Sequence, residues 1–183
     1  MPKNQKINFI SNYLKKTVFF PLILLLFITS CSPIRTSTSS SFKKKNSAEI
    51  SLRNKLIKEA EKHKGIKYKY GGKDPQGFDC SGFTYYVCSK NNIKLSRTSA
   101  YQSKEGNEVS LTKAKAGDLL FFGRHGRSGK IQHVGMVIKN NSEGLFMIHS
   151  SSSRGICVDN VLFSKYWKPK ILFARNIIGL KEK

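Results

Sequence analysis

One cysteine of this sequence stands where its thiol could do chemistry. Cys80 lies in the run Asp79-Cys80-Ser81-Gly82, which we predict opens a helix with Asp79 as its N-cap. The dipole and the free N–H groups of a helix N-terminus stabilise a thiolate, which is the form of cysteine that attacks a carbonyl carbon. The alternative is a buried free cysteine that packs as a small hydrophobic residue.

Two histidines supply a candidate base. His133 and His149 flank a predicted β-hairpin that turns at residues 140–142. If the strands pair symmetrically about Asn141, His133 lies opposite His149, with Cβ atoms about 4.5–5.5 Å apart. A two-residue slip keeps both imidazoles on one face as diagonal neighbours, whereas a one-residue slip separates them. The symmetric register pairs Val134 with Ile148 and Met136 with Phe146 on the core face.

A thiol, an imidazole base and a polar group that orients the base are the parts of a nucleophilic cysteine site. We predict that His133 takes the proton of Cys80 and that His149 orients His133. Zinc binding by the same three residues is an alternative. No fourth ligand is evident, because Cys88 lies two helical turns beyond Cys80 and Cys157 lies on another predicted strand. We therefore expect no metal. Cys88 and Cys157 are predicted to be structural thiols in small buried positions, with a disulfide between them as the alternative in an oxidising compartment.

The elements that must position these residues follow an α+β pattern. Helices are predicted from Ser47 to Lys64, from Asp79 to about Lys90 and over 98–104, and a short strand over 66–70. After Gly117 the pattern changes to strands at 118–122, 131–139, 145–149, 155–159 and 171–176. The expected fold is N-terminal helices packed on an antiparallel sheet of about five strands.

The first thirty residues are typical of an export signal. Four lysines precede an uncharged apolar run from Val18 to Ile28, which is too short to span a hydrocarbon core of ~30 Å as a helix. The run ends at Thr29-Ser30-Cys31, which resembles a bacterial lipobox. We therefore predict a lipoprotein signal peptide over 1–30 and lipidation of Cys31, with an ordinary secretory signal as the alternative. Ser32 follows Cys31, which weakly favours the outer membrane in a Gram-negative cell.

The rest of the chain is predicted to be one tethered domain. Residues 31–47 carry a Ser/Thr-rich run with three consecutive lysines and no apolar period, which is typical of a tether. The chain of 183 residues then leaves room for one domain over 48–178 and a basic tail over 179–183, which excludes a multidomain enzyme.

The charge of the chain is strongly positive. Removal of residues 1–30 lowers the net charge from +22 to +18. In an exported protein this charge favours anionic lipid and cell wall as partners over nucleic acid. A solvated lysine-rich surface without a specific partner is the alternative.

Six blocks of this sequence occur in the order found in the NlpC/P60 family of cell-wall cysteine peptidases, and the chain resembles that family over roughly residues 52–176. The blocks are Tyr68-Lys69-Tyr70-Gly71-Gly72, Asp79-Cys80-Ser81-Gly82-Phe83, Arg97-Thr98-Ser99, Gly117-Asp118-Leu119-Leu120-Phe121-Phe122, His133-Val134-Gly135-Met136 and Ile148-His149. The second and fifth blocks are specific together, although either alone is weak. Ser96 stands where many relatives have proline, which affects a turn and not the chemistry.

The resemblance implies a papain-like core with Cys80 as nucleophile, His133 as base and His149 as third member. It also implies a substrate cleft near the thiol, lined by Tyr68, Asp79 and Ser81. The implied reaction is hydrolysis of an amide in the stem peptide or crosslink of peptidoglycan through a thioester, without a cofactor. The implied protein is a monomeric bacterial lipoprotein of the cell envelope.

Two other functions remain open at this point. An amidase or acyltransferase could use the same triad on another acyl substrate, and a non-catalytic lipoprotein could bind the wall. The sequence also leaves the scissile bond open between γ-D-glutamyl–diaminopimelate in a stem and D-alanyl–diaminopimelate in a crosslink.

Overall fold

The computed structural model describes residues 38–124 and 130–180. Several predicted segments lie outside the described residues. They are the signal peptide, Cys31, residues 32–37 of the tether and residues 181–183 of the tail. Within the described ranges, no helix is both long and apolar enough to cross a membrane.

Three helices precede most of the sheet. They are α1 (Thr38–Glu61), α2 (Cys80–Ser89) and the short α3 (Ser99–Gln102). The predicted start of the first helix at Ser47 is wrong, because α1 extends back through residues 38–46 of the predicted tether. No Gly or Pro lies between Thr38 and Glu61, so no residue stops the helix from growing toward the N-terminus. Residues 41–46 are exposed, as expected for a segment without apolar periodicity.

Eight strands form two sheets in the described residues. The small sheet pairs β1 (Lys73–Asp74) with β2 (Gly77–Phe78). The large antiparallel sheet has the order β3-β8-β4-β5-β6-β7. Its strands are β3 (Asn107–Val109), β4 (Leu119–Phe122), β5 (His133–Asn141), β6 (Gly144–Ser151), β7 (Gly155–Asn160) and β8 (Ile171–Asn176).

The predicted α+β class is confirmed, with two differences in the strands. The large sheet has six strands, whereas about five were predicted. The additional strand is β3, which pairs with β8. Its sequence Asn-Glu-Val lacks the apolar alternation that identifies a strand. The strand predicted over 66–70 is reduced to one isolated bridge between Tyr68 and Phe78.

Apolar side chains cover both faces of the central strands. Leu119 and Phe121 of β4 belong to the cluster that includes Phe83 and Val87 of α2, whereas Leu120 belongs to a second cluster. All four residues of β4 are buried. Because both faces of the strand are covered, its sequence is a continuous apolar run and not an alternation. The two cores hold β4 and β5 rigidly in the middle of the sheet.

The hairpin of β5 and β6 departs from the symmetric register by three residues next to the turn and by two residues at Met136 and Val137. Met136 lies opposite Ile148, so the pairs predicted for Met136 and Ile148 are wrong. Asn141 pairs with Gly144, and its side-chain oxygen accepts a hydrogen bond from the N–H of Glu143 at 3.1 Å. This Asx turn places the reversal after Asn141, and an irregularity between Val137 and Lys139 adjusts the pairing further along.

Candidate active site

Cys80 is the first residue of α2, and Asp79 is its N-cap, as predicted. Oδ1 of Asp79 accepts a hydrogen bond from the N–H of Gly82 at 2.6 Å. Arg97 holds this carboxylate in place, because Nη2 donates to Oδ2 at 2.7 Å and Nη1 donates to Oδ1 at 3.0 Å. The cap therefore fixes where the helix begins and puts the thiol in its first turn.

Two glycines let the turn before β1 pack directly against the start of α2. A β-carbon on Gly82 would lie 2.0 Å from the carbonyl oxygen of Gly72, and one on Gly72 would lie 2.2 Å from that of Gly77. The N–H of Asp79 donates to the Gly72 oxygen at 3.0 Å, and Arg97 Nη2 donates to it at 3.1 Å. These close approaches explain why glycine occupies both positions.

The predicted His–His pair is confirmed. Nε2 of His133 lies 2.9 Å from Nδ1 of His149, and the two rings meet edge to face at 4.9 Å. They are diagonal neighbours, the arrangement that the two-residue slip was expected to keep. A β-carbon on Gly135 would lie 2.7 Å from Met147 Sδ and 3.2 Å from His149 Cβ, so glycine leaves room for the pair.

One cavity joins the thiol to its candidate base. It has a volume of about 570 Å³, and its lining includes Cys80, His133 and Tyr68. The ends of β4 and β6 and the segment before β8 supply other walls, among them Phe122, Ser151, Ser153, Tyr166, Trp167 and Lys170. The cavity is large enough for a small ligand or a short peptide segment.

The three predicted substrate residues differ in their surroundings. Tyr68 lines the cavity beside Cys80. Asp79 and Ser81 instead contact Arg97, and the Ser81 hydroxyl donates to Oδ1 of Asp79 at 3.2 Å. The polar side chains of Asp79 and Ser81 are therefore bonded to each other and to Arg97 at the start of α2. Contact of these two residues with substrate stays a prediction.

Burial controls the protonation of the thiol and of His133. It raises the pKa of Cys80, although backbone N–H groups, chiefly that of Val134, lower it. The expected stabilisation of the thiolate by the helix N-terminus is therefore outweighed. Burial lowers the pKa of His133 to about 3, and protonation of His149 would act in the same direction. The resting pair at neutral pH is a thiol and a neutral imidazole.

Asp159, which was not predicted from the sequence, extends the imidazole pair. Nε2 of His149 lies 3.0 Å from Oδ2 of Asp159. The indole N–H of Trp167 donates to the same oxygen at 2.8 Å, and Arg154 donates to it at 2.5 Å. Partial burial raises the pKa of Asp159, but the bonds from Arg154, Trp167 and His149 outweigh it and leave this pKa below its ordinary value. Asp159 is therefore ionised at neutral pH.

Trp167, also missed, covers the imidazole pair. Its ring stacks on His133 at a centroid distance of 4.8 Å and meets His149 edge-on at 5.0 Å. The tryptophan precedes a 3₁₀ turn over Lys168–Lys170, so no periodic pattern marks it. Asp159 lies two residues after Cys157 on β7, so the two side chains share one face of the sheet. This position points to His149 only when β7 is known to pair with β6.

One group of described residues has donor atoms suited to a metal ion. His149, Cys157 and Asp159 place these atoms within 4.8 Å of one another. Cys157 lies directly opposite His149 in the β6–β7 pairing, with Sγ 3.6 Å from Nε2. Nε2 of His149 is already bonded to Asp159, and Arg154 brings a positive charge to that carboxylate. A cation would therefore have to displace the hydrogen bond between His149 and Asp159 and the ion pair between Asp159 and Arg154.

The cysteines other than Cys80 have contrasting surroundings. Both Cys88 and Cys157 carry free thiols. Cys88 is fully buried in the first core cluster, as expected of a structural thiol. Cys157 is only partly buried, contrary to the predicted buried position, and its sulfur lies against the imidazole of His149.

A thiol at a helix N-terminus and an imidazole from the adjoining antiparallel sheet thus line one cavity. The family model described as "NlpC/P60 family" matches residues 65–176. This chain belongs to the NlpC/P60 family.

Three relatives illustrate the family. The "Probable endopeptidase p60" of Listeria welshimeri is 41% identical over 120 residues, which are 66% of this chain and 21% of that protein. The "Murein DD-endopeptidase MepS/Murein LD-carboxypeptidase" of Escherichia coli K12 is 30% identical over 131 residues, 71% of this chain and 65% of that protein. The crystal structure of an NlpC/P60 family protein from Bacillus cereus ATCC 10987 is similar with a TM-score of 0.64 at 30% identity, covering 69% of this chain and 40% of that one. This chain thus corresponds to only part of each relative.

Proposed function

We propose that this chain is a peptidoglycan hydrolase that cleaves an amide bond in the stem peptide or crosslink, with Cys80 as nucleophile. The observation that carries the proposal is the cavity that Cys80 shares with His133, whose Nε2 is engaged by His149. That contact leaves Nδ1 of His133 to serve the thiol. The names of the Listeria and Escherichia coli relatives, an endopeptidase and a murein endopeptidase, support the substrate class.

Acylation begins from the neutral pair. His133 takes the thiol proton as the sulfur of Cys80 attacks the carbonyl carbon of the scissile amide. Main-chain N–H groups at the start of α2 hold the oxyanion, and each such donor contributes of order 10²–10³ in rate. The protonated His133 then donates its proton to the leaving nitrogen, the C–N bond breaks, and a thioester on Cys80 remains.

Deacylation uses the same base. His133 removes a proton from a water molecule, whose oxygen attacks the thioester carbonyl. The C–S bond breaks, the acyl group leaves as a carboxylic acid, and the proton returns to the sulfur of Cys80. Each proton that His133 accepts is given back within the cycle, so no cofactor is needed.

The character of the cleft suits a short anionic peptide. Arg154 and Lys170 line it together with the hydroxyl groups of Ser151 and Ser153. A wall peptide carries several carboxylates, which hydroxyl and cationic side chains bind through charge-assisted hydrogen bonds. The positive charge of the whole chain acts in the same direction over longer distances.

Digestion of purified peptidoglycan, with the products identified by mass spectrometry, tests the proposed activity. The full chain in detergent should release fragments that the Cys80→Ala variant does not release, and their masses identify the bond. Loss of crosslinked dimers indicates cleavage at D-alanyl–diaminopimelate, whereas shortened stems indicate the γ-D-glutamyl bond. Wild-type protein that binds the wall without producing fragments would favour the non-catalytic alternative, and transfer of the acyl group to an added amine would favour an acyltransferase.

A chelator separates the thiol mechanism from a zinc mechanism. EDTA should leave wall digestion by the wild type unchanged, because neither the nucleophile nor the base of the proposed mechanism is a metal ligand. Inactivation by EDTA that added zinc reverses would contradict the proposal.

The proposed location is the cell envelope, with a lipid anchor on Cys31 following cleavage of residues 1–30. Cys31→Ala should release the protein from the membrane fraction or leave it unprocessed. A Cys31→Ala protein that still matures and carries a diacyl anchor would defeat the assignment.

A further inference from the structure

Both ring nitrogens of His149 are occupied by partners on opposite sides. Nδ1 lies 2.9 Å from Nε2 of His133, and Nε2 lies 3.0 Å from Oδ2 of Asp159. The side chain of His149 is 0% exposed, so water cannot replace either partner. The positions of the protons along this chain of contacts must therefore be set by the group at one end.

We propose that Asp159 is a positioning residue that fixes the protons of both imidazoles and so leaves Nδ1 of His133 free to accept the thiol proton. The inference rests on the proposed thiol mechanism. A carboxylate can only accept hydrogen bonds, so the proton of neutral His149 lies on Nε2. Its Nδ1 then has a lone pair, which accepts the Nε2–H of His133. Neutral His133 in turn presents the lone pair of Nδ1.

The same arrangement stabilises His133 after it takes up a proton. The resulting imidazolium donates from Nε2 to His149, which donates from its own Nε2 to the carboxylate of Asp159. Hydrogen bonds in such a chain polarise one another, and burial strengthens the effect of the distant negative charge. Asp159 therefore acts on the base through His149, without touching the reacting atoms.

The surroundings of Asp159 keep its carboxylate ready for this role. Trp167 donates to Oδ2 at 2.8 Å while stacking on His133, so one residue holds both ends of the network. Arg154 supplies a third donor to the same oxygen. Because the donors converge on Oδ2, an asparagine can put its carbonyl oxygen at that point, keeping an acceptor and losing only the charge.

Two substitutions at Asp159 separate the acceptor from the charge. Asp159→Ala removes both and should lower the rate of wall digestion and the rate of alkylation of Cys80 by iodoacetamide about 10–100-fold, the range found for carboxylates that orient histidine ligands in metal sites. Asp159→Asn keeps the acceptor and should recover the larger part of both rates. Alkylation is followed on the Cys80 peptide by mass spectrometry with the full-length protein.

The ¹⁵N chemical shifts of histidine side chains give a direct readout of the proton positions. In the wild type, His133 and His149 should both be protonated on Nε2, and Asp159→Asn should keep this state. Asp159→Ala should give a mixture in which Nδ1 of His149 is protonated in part. The wild-type spectrum tests the inference even if Asp159→Ala does not fold, since a proton on Nδ1 of either histidine would overturn it.

Cys157→Ala is the matched control. It removes the other neighbour of His149 Nε2, whose sulfur lies 3.6 Å away, but leaves the carboxylate in place. We expect wild-type ¹⁵N shifts and wild-type rates for this variant. Equal losses in Cys157→Ala and Asp159→Ala would overturn the inference, because they would reflect packing around the ring. Wild-type behaviour of Asp159→Ala would overturn it as well.

The two assays keep this inference separate from the proposed function. Iodoacetamide is neutral and carries no wall structure, so its reaction reports the thiol and its base alone. A protein that fails to cut peptidoglycan but shows the expected dependence of Cys80 alkylation on Asp159 would refute the proposed substrate and retain the positioning role. If the Asp159→Ala variant cuts peptidoglycan as well as the wild type, the proposed substrate is retained and the positioning role of Asp159 is refuted.

Discussion

The two sides of the cleft are built in different ways. The thiol side is local, since Asp79 caps the helix that begins at Cys80, and a single salt bridge from Arg97 reinforces the cap. The imidazole side needs three strands and the segment that follows them, because its residues meet only when β5, β6 and β7 are paired in the observed register. The thiol side should therefore tolerate changes elsewhere in the sheet, whereas the imidazole side should respond to any change in strand pairing.

The largest effect should come from removing either partner of the proton transfer. Cys80→Ala and His133→Ala should each abolish turnover, a loss on the order of 10⁶ by the precedent of other catalytic units. Wall digestion measures the loss, and far-UV circular dichroism checks that the fold remains. Adding His149→Ala to either variant should cost little more, because members of one unit are not additive. A full further loss in the double variant would mean that the two sides act independently.

Removal of the second imidazole, His149, should have a smaller and more selective effect. His149→Ala removes the acceptor for Nε2–H of His133 and should lower turnover on the order of 10⁴-fold while the fold survives, by the precedent of the orienting member of other catalytic units. His149→Asn and His149→Gln should retain part of the activity, since either amide oxygen can accept that hydrogen bond. Full activity of purified His149→Ala on wall peptides would remove this residue from the mechanism.

The contrast between the two sides also explains what could be predicted from the sequence. The N-cap at Asp79 depends on residue types within one turn, so it was identified correctly. The His–His pair was predicted because a two-residue slip preserves the facing of side chains in a strand, although the register itself was wrong. Asp159 and Trp167 were missed since their contacts depend on strand pairing and on an irregular segment, neither of which leaves a periodic pattern.

The limits of the first helix have a similar explanation. The predicted start at Ser47 followed the apolar stripe of the core, but α1 extends back to Thr38 through residues that have no apolar pattern. Core periodicity marks only the part of a helix that is buried. The exposed N-terminal turns of α1 therefore could not be predicted from it.

The pH dependence of thiol reactivity should show that the resting pair is neutral. Burial raises the pKa of Cys80, so the thiolate fraction grows only above the ordinary thiol range, while the lowered pKa of His133 keeps the imidazole neutral from mildly acidic pH upward. The rate of Cys80 alkylation by iodoacetamide should therefore rise with pH through the neutral and alkaline range. A rate that is already at its plateau in mildly acidic solution would indicate a thiolate–imidazolium pair and contradict this ordering of pKa values.

The smallest effect should come from the cap that defines the thiol side. Asp79→Ala removes the hydrogen bond to the N–H of Gly82 and should lower the free energy of unfolding by about 1–2 kcal/mol. Asp79→Asn should keep most of that stability, because asparagine is also a good N-cap, and its loss relative to the wild type then measures the ion pair with Arg97. Urea unfolding followed by circular dichroism measures all three proteins.

Thr98→Ala is the matched control for the cap. Thr98 is the N-cap of α3, but its side chain makes no capping hydrogen bond, so its replacement should change the free energy of unfolding by much less. Alkylation of Cys80 should respond to Asp79→Ala and not to Thr98→Ala, because only the first variant loosens the turn that carries the thiol. The contrary outcome is an equal loss of stability in both variants with unchanged alkylation of Cys80. The start of α2 would then be held by the close contact between Gly82 and Gly72. In that case the thiol side would depend on tertiary packing as much as the imidazole side does.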